Sequence, residues 1–366
     1  MIVERLKIEG FRNYESSEAL FSDNINVIIG GNAQGKTNLL EAVYYLTCGR
    51  SFRARSDKEL INFNADEAKI EAQIFSGERS QTLIAELSKF RKKRLIVNGS
   101  KLKTASELSG RLTAVLFCPD DLTIIRSSSM YRRRLMDSCL SQLRPKYAAA
   151  LQEYRRLYEQ KSRILRDRDP AMAVILDEYS QRMCEVSAIL ISYRAKFVRI
   201  LAEKAKEIHR EFSGGNEDLD IFYKTVKTID DPMKKPSELL PFLLEHQFSH
   251  RQAEIDSCRC LSGAHKDDLE IFINNAEAKS FASQGQTRTA AISLKMAERE
   301  IHFEDRGEYP VLLLDDVLSE LDAKRQDFIL NRISSGQVLI TCCEDQSISE
   351  KTGGKLIIID SGKVLG

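Results

Sequence analysis

The chain has no marked excess of either charge. Its 366 residues contain 55 Lys and Arg against 54 Asp and Glu, which gives a formal net charge of +1. This balance excludes a protein that wraps nucleic acid with a uniformly basic surface, so any contact with DNA needs a local basic patch. Because 42% of the residues are hydrophobic and 30% are charged, we expect a sizeable core and two domains.

Long apolar runs are also missing. No stretch reaches the roughly 18 apolar residues that a membrane-spanning helix requires. Residues 1–14 alternate charged and apolar side chains, which indicates a strand and not a signal peptide. We therefore expect a cytoplasmic protein without membrane contact.

The eight cysteines lack the C-x-x-C spacing of a zinc ribbon. Cys258 and Cys260 form one close pair, and Cys342 and Cys343 form another. Reduced thiols in the core or in strands are the interpretation that this dispersed pattern favours.

The strongest positive signal is a glycine-rich segment at residues 30–37, Gly-Gly-Asn-Ala-Gln-Gly-Lys-Thr. It lies between the apolar residues 25–29 and the helix-like residues 38–46, the strand, loop and helix order of a phosphate-binding loop. Glycines let backbone N–H groups point at phosphate oxygens, and the helix N-terminus adds a favourable dipole. The predicted ATP-binding residues here are Gly30, Gly31, Asn32, Ala33, Gln34, Gly35, Lys36, Thr37 and Asn38.

A second half of the same site is predicted near the C-terminus. Residues 311–316, Val-Leu-Leu-Leu-Asp-Asp, have the pattern of a buried strand that ends in two carboxylates. We expect Lys36 to reach the β- and γ-phosphates, and Thr37 and Asp315 to bind Mg²⁺. Asp316 is placed to orient or deprotonate the attacking water, so Asp316, Lys36 and Asp315 are the predicted catalytic residues.

Residues 281–286, Phe-Ala-Ser-Gln-Gly-Gln, precede helix-like residues 289–302. A helix cap would explain such a segment if it stood alone. Standing before the acidic strand, it resembles the signature motif of ABC-type ATPases, which acts in trans on the γ-phosphate bound by another copy. Ser283, Gly285 and Gln286 are therefore predicted to contact ATP held by a second copy. Residues 319–322 resemble the loop through which paired ABC heads touch.

Further stretches of the chain resemble the RecF family of bacterial recombination and gap-repair ATPases. Besides the motifs above, they are residues 11–14, 49–53, 119–122, 132–134 and 262–268. The resemblance implies an ATP-dependent homodimer that binds duplex DNA and gapped junctions and helps RecO and RecR load RecA. It also implies weak, DNA-stimulated ATP hydrolysis, with Arg12 and Asn13 lying on the nucleotide.

Two departures from the ABC pattern indicate slow hydrolysis. A switch histidine commonly follows the strand equivalent to residues 338–341, but this chain has Cys342 and Cys343 there. A glutamine loop is also common where this chain reads Phe-Cys-Pro-Asp at residues 117–120.

The period of the apolar residues becomes helical in the middle of the chain. Tyr147, Leu151, Tyr154 and Tyr158 recur at spacings of four, three and four after Pro145, which suits a first helical turn. Asp169-Pro170 should break this helix. A heptad-like seam at residues 183–200 then predicts a second helix that ends before Gly214-Gly215 and packs against the first.

We therefore predict an α/β fold: an ABC-type, Rad50/SMC-like P-loop ATPase head assembled from both chain ends. Its two parts are residues 1–125 and 255–366, and residues 126–254 form an inserted, mainly α-helical arm. The chain is too short for the long coiled coils of Rad50 and SMC proteins.

Several alternatives stay open at this point. Basic residues on the first arm helix could contact phosphate or form an ordinary charged surface; they are Arg155, Arg156, Lys161, Arg163, Arg166 and Arg168. The ATPase subunit of a transporter is a rival function, although such subunits usually keep the switch histidine. A small-molecule phosphotransferase is another, but it would not explain residues 283–286 and 319–322.

Overall fold

The computed structural model describes residues 1–167, 173–343 and 347–365. Two compact units divide the chain. The first combines Met1–Leu122 with Lys295–Gly366, and the second is Thr123–Leu294. The predicted break at Asp169-Pro170 lies outside the described residues.

The strands of the described residues, in chain order, are β1 (Ile2–Phe11), β2 (Tyr14–Leu20), β3 (Ile25–Ile29), β4 (Glu67–Ser76), β5 (Arg79–Ser88), β6 (Arg94–Val97), β7 (Ser100–Lys101), β8 (Ala114–Phe117), β9 (Leu219–Lys224), β10 (Asp268–Ile273), β11 (Ala276–Glu277), β12 (Val311–Asp315), β13 (Val338–Cys342), β14 (Lys355–Asp360) and β15 (Lys363–Leu365). The helices are α1 (Lys36–Cys48), α2 (Ser129–Leu143), α3 (Pro145–Asp167), α4 (Ala173–Ser213), α5 (Pro236–Ser257), α6 (Ala278–Phe281), α7 (Gln284–Arg306), α8 (Ala323–Arg332) and α9 (Ser347–Thr352).

The first unit contains two sheets of six strands each. One is antiparallel, with strand order β2-β1-β4-β5-β6-β7. The other has order β15-β14-β3-β13-β12-β8, and its strands from β14 to β8 run parallel. One apolar core joins side chains of α1 and both sheets, among them Leu6, Leu40 and Leu313.

The order of the parallel sheet determines what meets at its carboxyl edge. β13 lies between β3, which leads into the phosphate loop, and β12, which ends in the acidic pair. All of the residues of β12 and β13 are buried, as expected for strands covered on both faces. The carboxyl ends of neighbouring parallel strands share one edge, which is where open α/β sheets bind ligands.

The second unit is mainly helical. α3 packs against α4, and α4 also contacts α5 and β9. β9, β10 and β11 form a three-stranded antiparallel sheet in the order β11-β10-β9. The predicted pair of packed arm helices is confirmed, and α4 ends at Ser213, directly before Gly214.

The unit boundaries differ from those expected from the sequence. The first boundary falls at Leu122, close to the expected residue 125. The second falls at Leu294 and not at the expected residue 254, so residues 255–294 belong to the inserted unit and not to the head. Two contacts explain this assignment. β10 pairs along its length with β9, and Arg194 on α4 forms an ion pair with Asp267 just before β10.

One tight turn follows from a local steric preference, because an Asn-Gly pair readily adopts the positive φ values of a type I′ turn. The hairpin between β6 and β7 turns at Asn98 and Gly99, whose φ values of 48° and 78° are those of a type I′ turn. One surface expectation is wrong: Lys161, counted above with the basic face of α3, is fully buried and ion-paired with Glu254 at 2.7 Å. Arg168 lies outside the described residues.

Candidate nucleotide-binding site

The phosphate loop joins the end of β3 to the start of α1, as predicted. Gly30 and Gly35 adopt φ values of 159° and 121°. A Cβ added at Gly35 would lie 2.9 Å from both the Oδ1 and Nδ2 atoms of Asn13, and a φ of 121° is strained for any residue with a side chain, so glycine is favoured there. Ala33 has a φ of 63°, a left-handed conformation that is uncommon for a residue with a side chain.

Lys36 lies inside the loop that precedes it. Its ammonium donates to the carbonyl oxygens of Gly30 and Gly31, at 2.6 and 2.9 Å. Cys343, one residue past β13, approaches the same ammonium with its Sγ at 3.7 Å and donates to Asn32 Oδ1 at 3.0 Å. The thiol at the position of the missing switch histidine therefore contacts the loop directly.

The two predicted halves of the site meet. Thr37 Oγ1 donates to Asp315 Oδ1 at 2.8 Å, across 278 positions of sequence. A hydroxyl and a carboxylate are the hard oxygen donors that Mg²⁺ takes, and neighbouring ligands of a regular octahedron lie about 3 Å apart. The pair therefore fits a magnesium ion.

Asp315 is a buried acid. Burial raises the pKa of its carboxyl above the usual 3.8, although hydrogen bonds from Thr37 and Thr341 act in the opposite direction. Because the charged form is disfavoured without a counter-charge, a cation at this carboxylate is electrostatically favourable.

Thr341 on β13 links the carboxylate of Asp315 to the backbone of Asp316. Its Oγ1 lies 3.0 Å from Asp315 Oδ1 and accepts a hydrogen bond from the backbone N–H of Asp316 at 2.9 Å. Asp316 has a φ of 53°, an uncommon conformation for a non-glycine residue, and Ser319 Oγ donates to its carbonyl oxygen at 2.7 Å. Such strained residues persist where the surroundings fix them, and they cluster at functional sites.

Asn13 and Arg12 lie beside the loop but differ in what they contact. Asn13 Nδ2 donates to Gln34 O at 2.8 Å, and its Oδ1 accepts from Asn38 at 2.7 Å. Arg12 instead turns its guanidinium to Glu41 on α1, with contacts of 2.8 and 2.9 Å. A direct contact of Arg12 with nucleotide thus stays a prediction.

Glu41 is a buried carboxylate that sequence analysis missed. Burial acts to raise its pKa, but hydrogen bonds from Arg12, Arg53 and Ser51 together lower it below the usual 4.5. Arg53 also donates to Asn38 Oδ1 at 2.6 Å. A signal was available, since Glu41 is the one charged residue in the apolar residues 39–46. Thr341 gave no such signal, because a threonine in a buried strand is ordinary.

The signature segment, residues 281–286, belongs to the second unit. Ser283 precedes α7 and forms a capping box with Gln286: Ser283 N donates to Gln286 Oε1 at 2.8 Å, and Gln286 N donates to Ser283 Oγ at 3.2 Å. Ser283 is exposed, and Gly285 lies in the first turn of α7. The segment therefore forms the helix cap that was the alternative explanation for its sequence. Its contact with ATP bound by a second copy stays a prediction.

Comparison with known proteins identifies the family. The family model of the RecF/RecN/SMC N-terminal domain matches residues 2–360. The DNA replication and repair protein RecF of Acetivibrio thermocellus is 36% identical over 361 residues, covering 98% of either chain. RecF of Oceanobacillus iheyensis is 38% identical over 358 residues, with 96% of each chain covered. This chain belongs to the RecF family.

Solved structures agree with membership of the RecF family. One structure, of the recombination mediator protein RecF-ATPrS in the RecFOR pathway, is 30% identical with a TM-score of 0.91 and covers 99% of this chain and 97% of that one. The Smc head bound to the C-terminal winged-helix domain of ScpA matches with a TM-score of 0.57 at 17% identity, over 100% and 97% of the two chains, which supports the fold alone. The predicted ABC-type, SMC-like head with an inserted helical arm is confirmed.

None of the helices in the described part of the chain combines the length and the apolar composition that crossing a membrane requires.

Proposed function

We propose that this RecF-family chain is an ATP-dependent DNA clamp that acts in recombinational gap repair. The observation that supports this most is the 2.8 Å contact between Thr37 and Asp315, because it assembles one nucleotide site from two distant segments. The ATP named for one solved RecF relative is the nucleotide that we assign to this site.

The chemistry follows from the residues at the carboxyl edge of the parallel sheet. Lys36 exchanges its loop carbonyls for the β- and γ-phosphate oxygens and offsets their charge. Thr37 and Asp315 would hold Mg²⁺, which when bound would further neutralise the charge of the phosphates. Asp316, held by Thr341 and Ser319, orients the attacking water or accepts its proton.

Pairing of two copies uses the second unit. Ser283, Gly285 and Gln286 contact the γ-phosphate that another copy binds. Residues 319–322, in the first unit, also contact the other copy. Because ATP contacts both copies only in the paired state, it shifts the equilibrium towards pairing. Hydrolysis removes the bridging phosphate, so the clamp opens and DNA is released.

DNA contact in this proposal is to the phosphate backbone and to junction shape. Arg156, Arg163 and Arg166 on α3 are exposed and suit such contact. We extend to this chain the RecFOR pathway named for its solved relatives, with RecR and RecO as partners in loading RecA in the cytoplasm. Hydrolysis is slow and stimulated by DNA.

Binding of labelled duplex DNA, measured by fluorescence anisotropy at fixed salt, tests the clamp. We expect at least about tenfold tighter binding with ATP than with ADP, and loss of this difference in Lys36→Met. Lys58→Met, an exposed lysine outside the loop, is the matched control. Equal binding with both nucleotides, or none, would contradict the proposal.

A further inference from the structure

The signature residues are held by a carboxylate from a distant part of the same unit. Gln286 Nε2 donates to Glu217 Oε1 at 2.9 Å. A carboxylate accepts hydrogen bonds and does not donate, so the nitrogen end of the Gln286 amide must face Glu217. The oxygen end then faces Ser283, whose backbone N–H it accepts at 2.8 Å.

This arrangement leaves the Ser283 hydroxyl ready to donate. Its oxygen accepts from the backbone N–H of Gln286 at 3.2 Å. No acceptor for the hydroxyl proton is found among the residues that the structure describes, and Ser283 is exposed. A free hydroxyl donor at a helix N-terminus is what an incoming phosphate oxygen needs.

Glu217 is also tied to the end of the long helix α4. Its backbone N–H donates to Ser213 Oγ at 3.2 Å, and its Oε2 lies 3.1 Å from His209 Nε2. His209 is fully buried, and its other ring nitrogen lies 3.3 Å from Ser293 Oγ on α7. Side-chain contacts thus join the last turns of α4, the turn before β9 and the first half of α7.

We propose that Glu217 is a positioning residue for the signature segment. It orients the Gln286 amide and, through it, Ser283 for the γ-phosphate of a second copy, and so links the C-terminal end of α4 to ATP-driven pairing. A shift of the last turn of α4 moves Glu217 and weakens that orientation. The inference rests on the proposed pairing in trans.

Exchanging the side chains of Glu217 and Gln286 tests the proposal. Gln286→Glu places two carboxylates against each other, and we expect ATP-driven pairing to weaken at least about tenfold. Glu217→Gln alone can still accept from Gln286 and should have little effect. In the double variant the amide and the carboxylate have exchanged places, so position 217 can donate to position 286. Pairing should then return to within about threefold of the parent protein.

Two measurements separate positioning from a general loss of structure. Light scattering against protein concentration gives the pairing constant with ATP. A fluorescent ATP analogue, titrated at a protein concentration too low for pairing, gives the nucleotide affinity of a single copy, which should change less than about twofold in every variant. Asp218→Asn is the matched control, since the adjacent Asp218 is exposed and pairs with Arg210 at 2.8 Å. Its pairing constant should equal that of the parent protein.

The outcomes distinguish this inference from the function on which it rests. If the parent protein pairs with ATP but the double variant stays as weak as Gln286→Glu, or if Gln286→Glu pairs normally, the role of Glu217 is wrong. If the parent protein does not pair with ATP and matches Lys36→Met, the proposed function fails and this inference fails with it.

Discussion

The two units each bury a carboxylate, but they surround it differently. Asp267, in the second unit, is fully buried and accepts from Arg194 at 2.6 Å and from Thr225 at 2.7 Å. Asp315, in the first unit, is 7% exposed, and its hydrogen-bond partners are the hydroxyls of Thr37 and Thr341. No ion pair to Asp315 is found within residues 1–167, 173–343 and 347–365.

The partners of the two carboxylates indicate different roles for Asp267 and Asp315. A buried carboxylate with a guanidinium beside it has its counter-charge within the chain, and the pair joins the segments that carry it. A buried carboxylate whose partners are neutral keeps its charge available for an added cation, at a cost in stability. Asp267 thus fits a role in holding residues 255–294 in the second unit, and Asp315 fits a role in binding magnesium.

Removing the counter-charge in the second unit should have the largest effect. Arg194→Met leaves the fully buried Asp267 and the partly buried Asp137 without the Arg194 guanidinium, and we expect a loss of about 3–5 kcal/mol in the free energy of unfolding. Urea-induced unfolding measures it. Arg210→Met, which removes an exposed ion pair, is the control and should cost under about 1 kcal/mol. A similar loss in both variants would contradict the structural role of the buried pair.

Removing a neutral partner in the first unit should affect hydrolysis more than stability. Thr341→Val keeps the shape of the side chain but no longer holds Asp315 and the backbone of Asp316. We expect kcat for ATP hydrolysis to fall about 10–100-fold, the usual range for residues that support a metal ligand. Thr341→Ser retains the hydroxyl and should restore most of the rate in a phosphate-release assay. Equal rates for the two variants would show that the hydroxyl is dispensable.

Neutralising Asp315 should have a small effect on the free energy of unfolding, and should raise it where Arg194→Met lowers it. Asp315→Asn removes a buried charge while keeping an acceptor oxygen, so we expect the free energy of unfolding at pH 7 to rise by about 1 kcal/mol while hydrolysis is lost. The pKa of Asp315 is raised on folding, so the folded state binds the proton more tightly and becomes less stable as pH rises above 3.8.

The gain from Asp315→Asn should therefore shrink as the pH falls from 7 towards about 4, and it should be absent below that pH. Thermal unfolding of both proteins across this range measures the difference. If Asp315→Asn were less stable than the parent protein at pH 7, the ionised Asp315 carboxylate would already be stabilised by its surroundings. Asp315 would then not differ from Asp267 in this respect.

The sequence by itself determined the local elements on which the site is built. The phosphate loop between β3 and α1, the acidic end of β12 and the turn at Asn98-Gly99 follow from glycine conformations and from apolar spacing, which act over a few residues. The helix before Gly214 follows for the same reason. Family resemblance then indicated that both chain ends build one head.

Only the tertiary structure decided which side chains meet. Thr341 reaches the Asp315 carboxylate and the backbone N–H of Asp316 because the strand order puts β13 between β3 and β12. Spacing along the chain does not encode that order. Lys161 is buried because Glu254, on another helix, offers it a counter-charge, and residues 255–294 join the second unit because β10 pairs with β9. Glu217 holds Gln286 across 69 positions. Such contacts depend on the packing of distant segments, whose energy no local pattern contains.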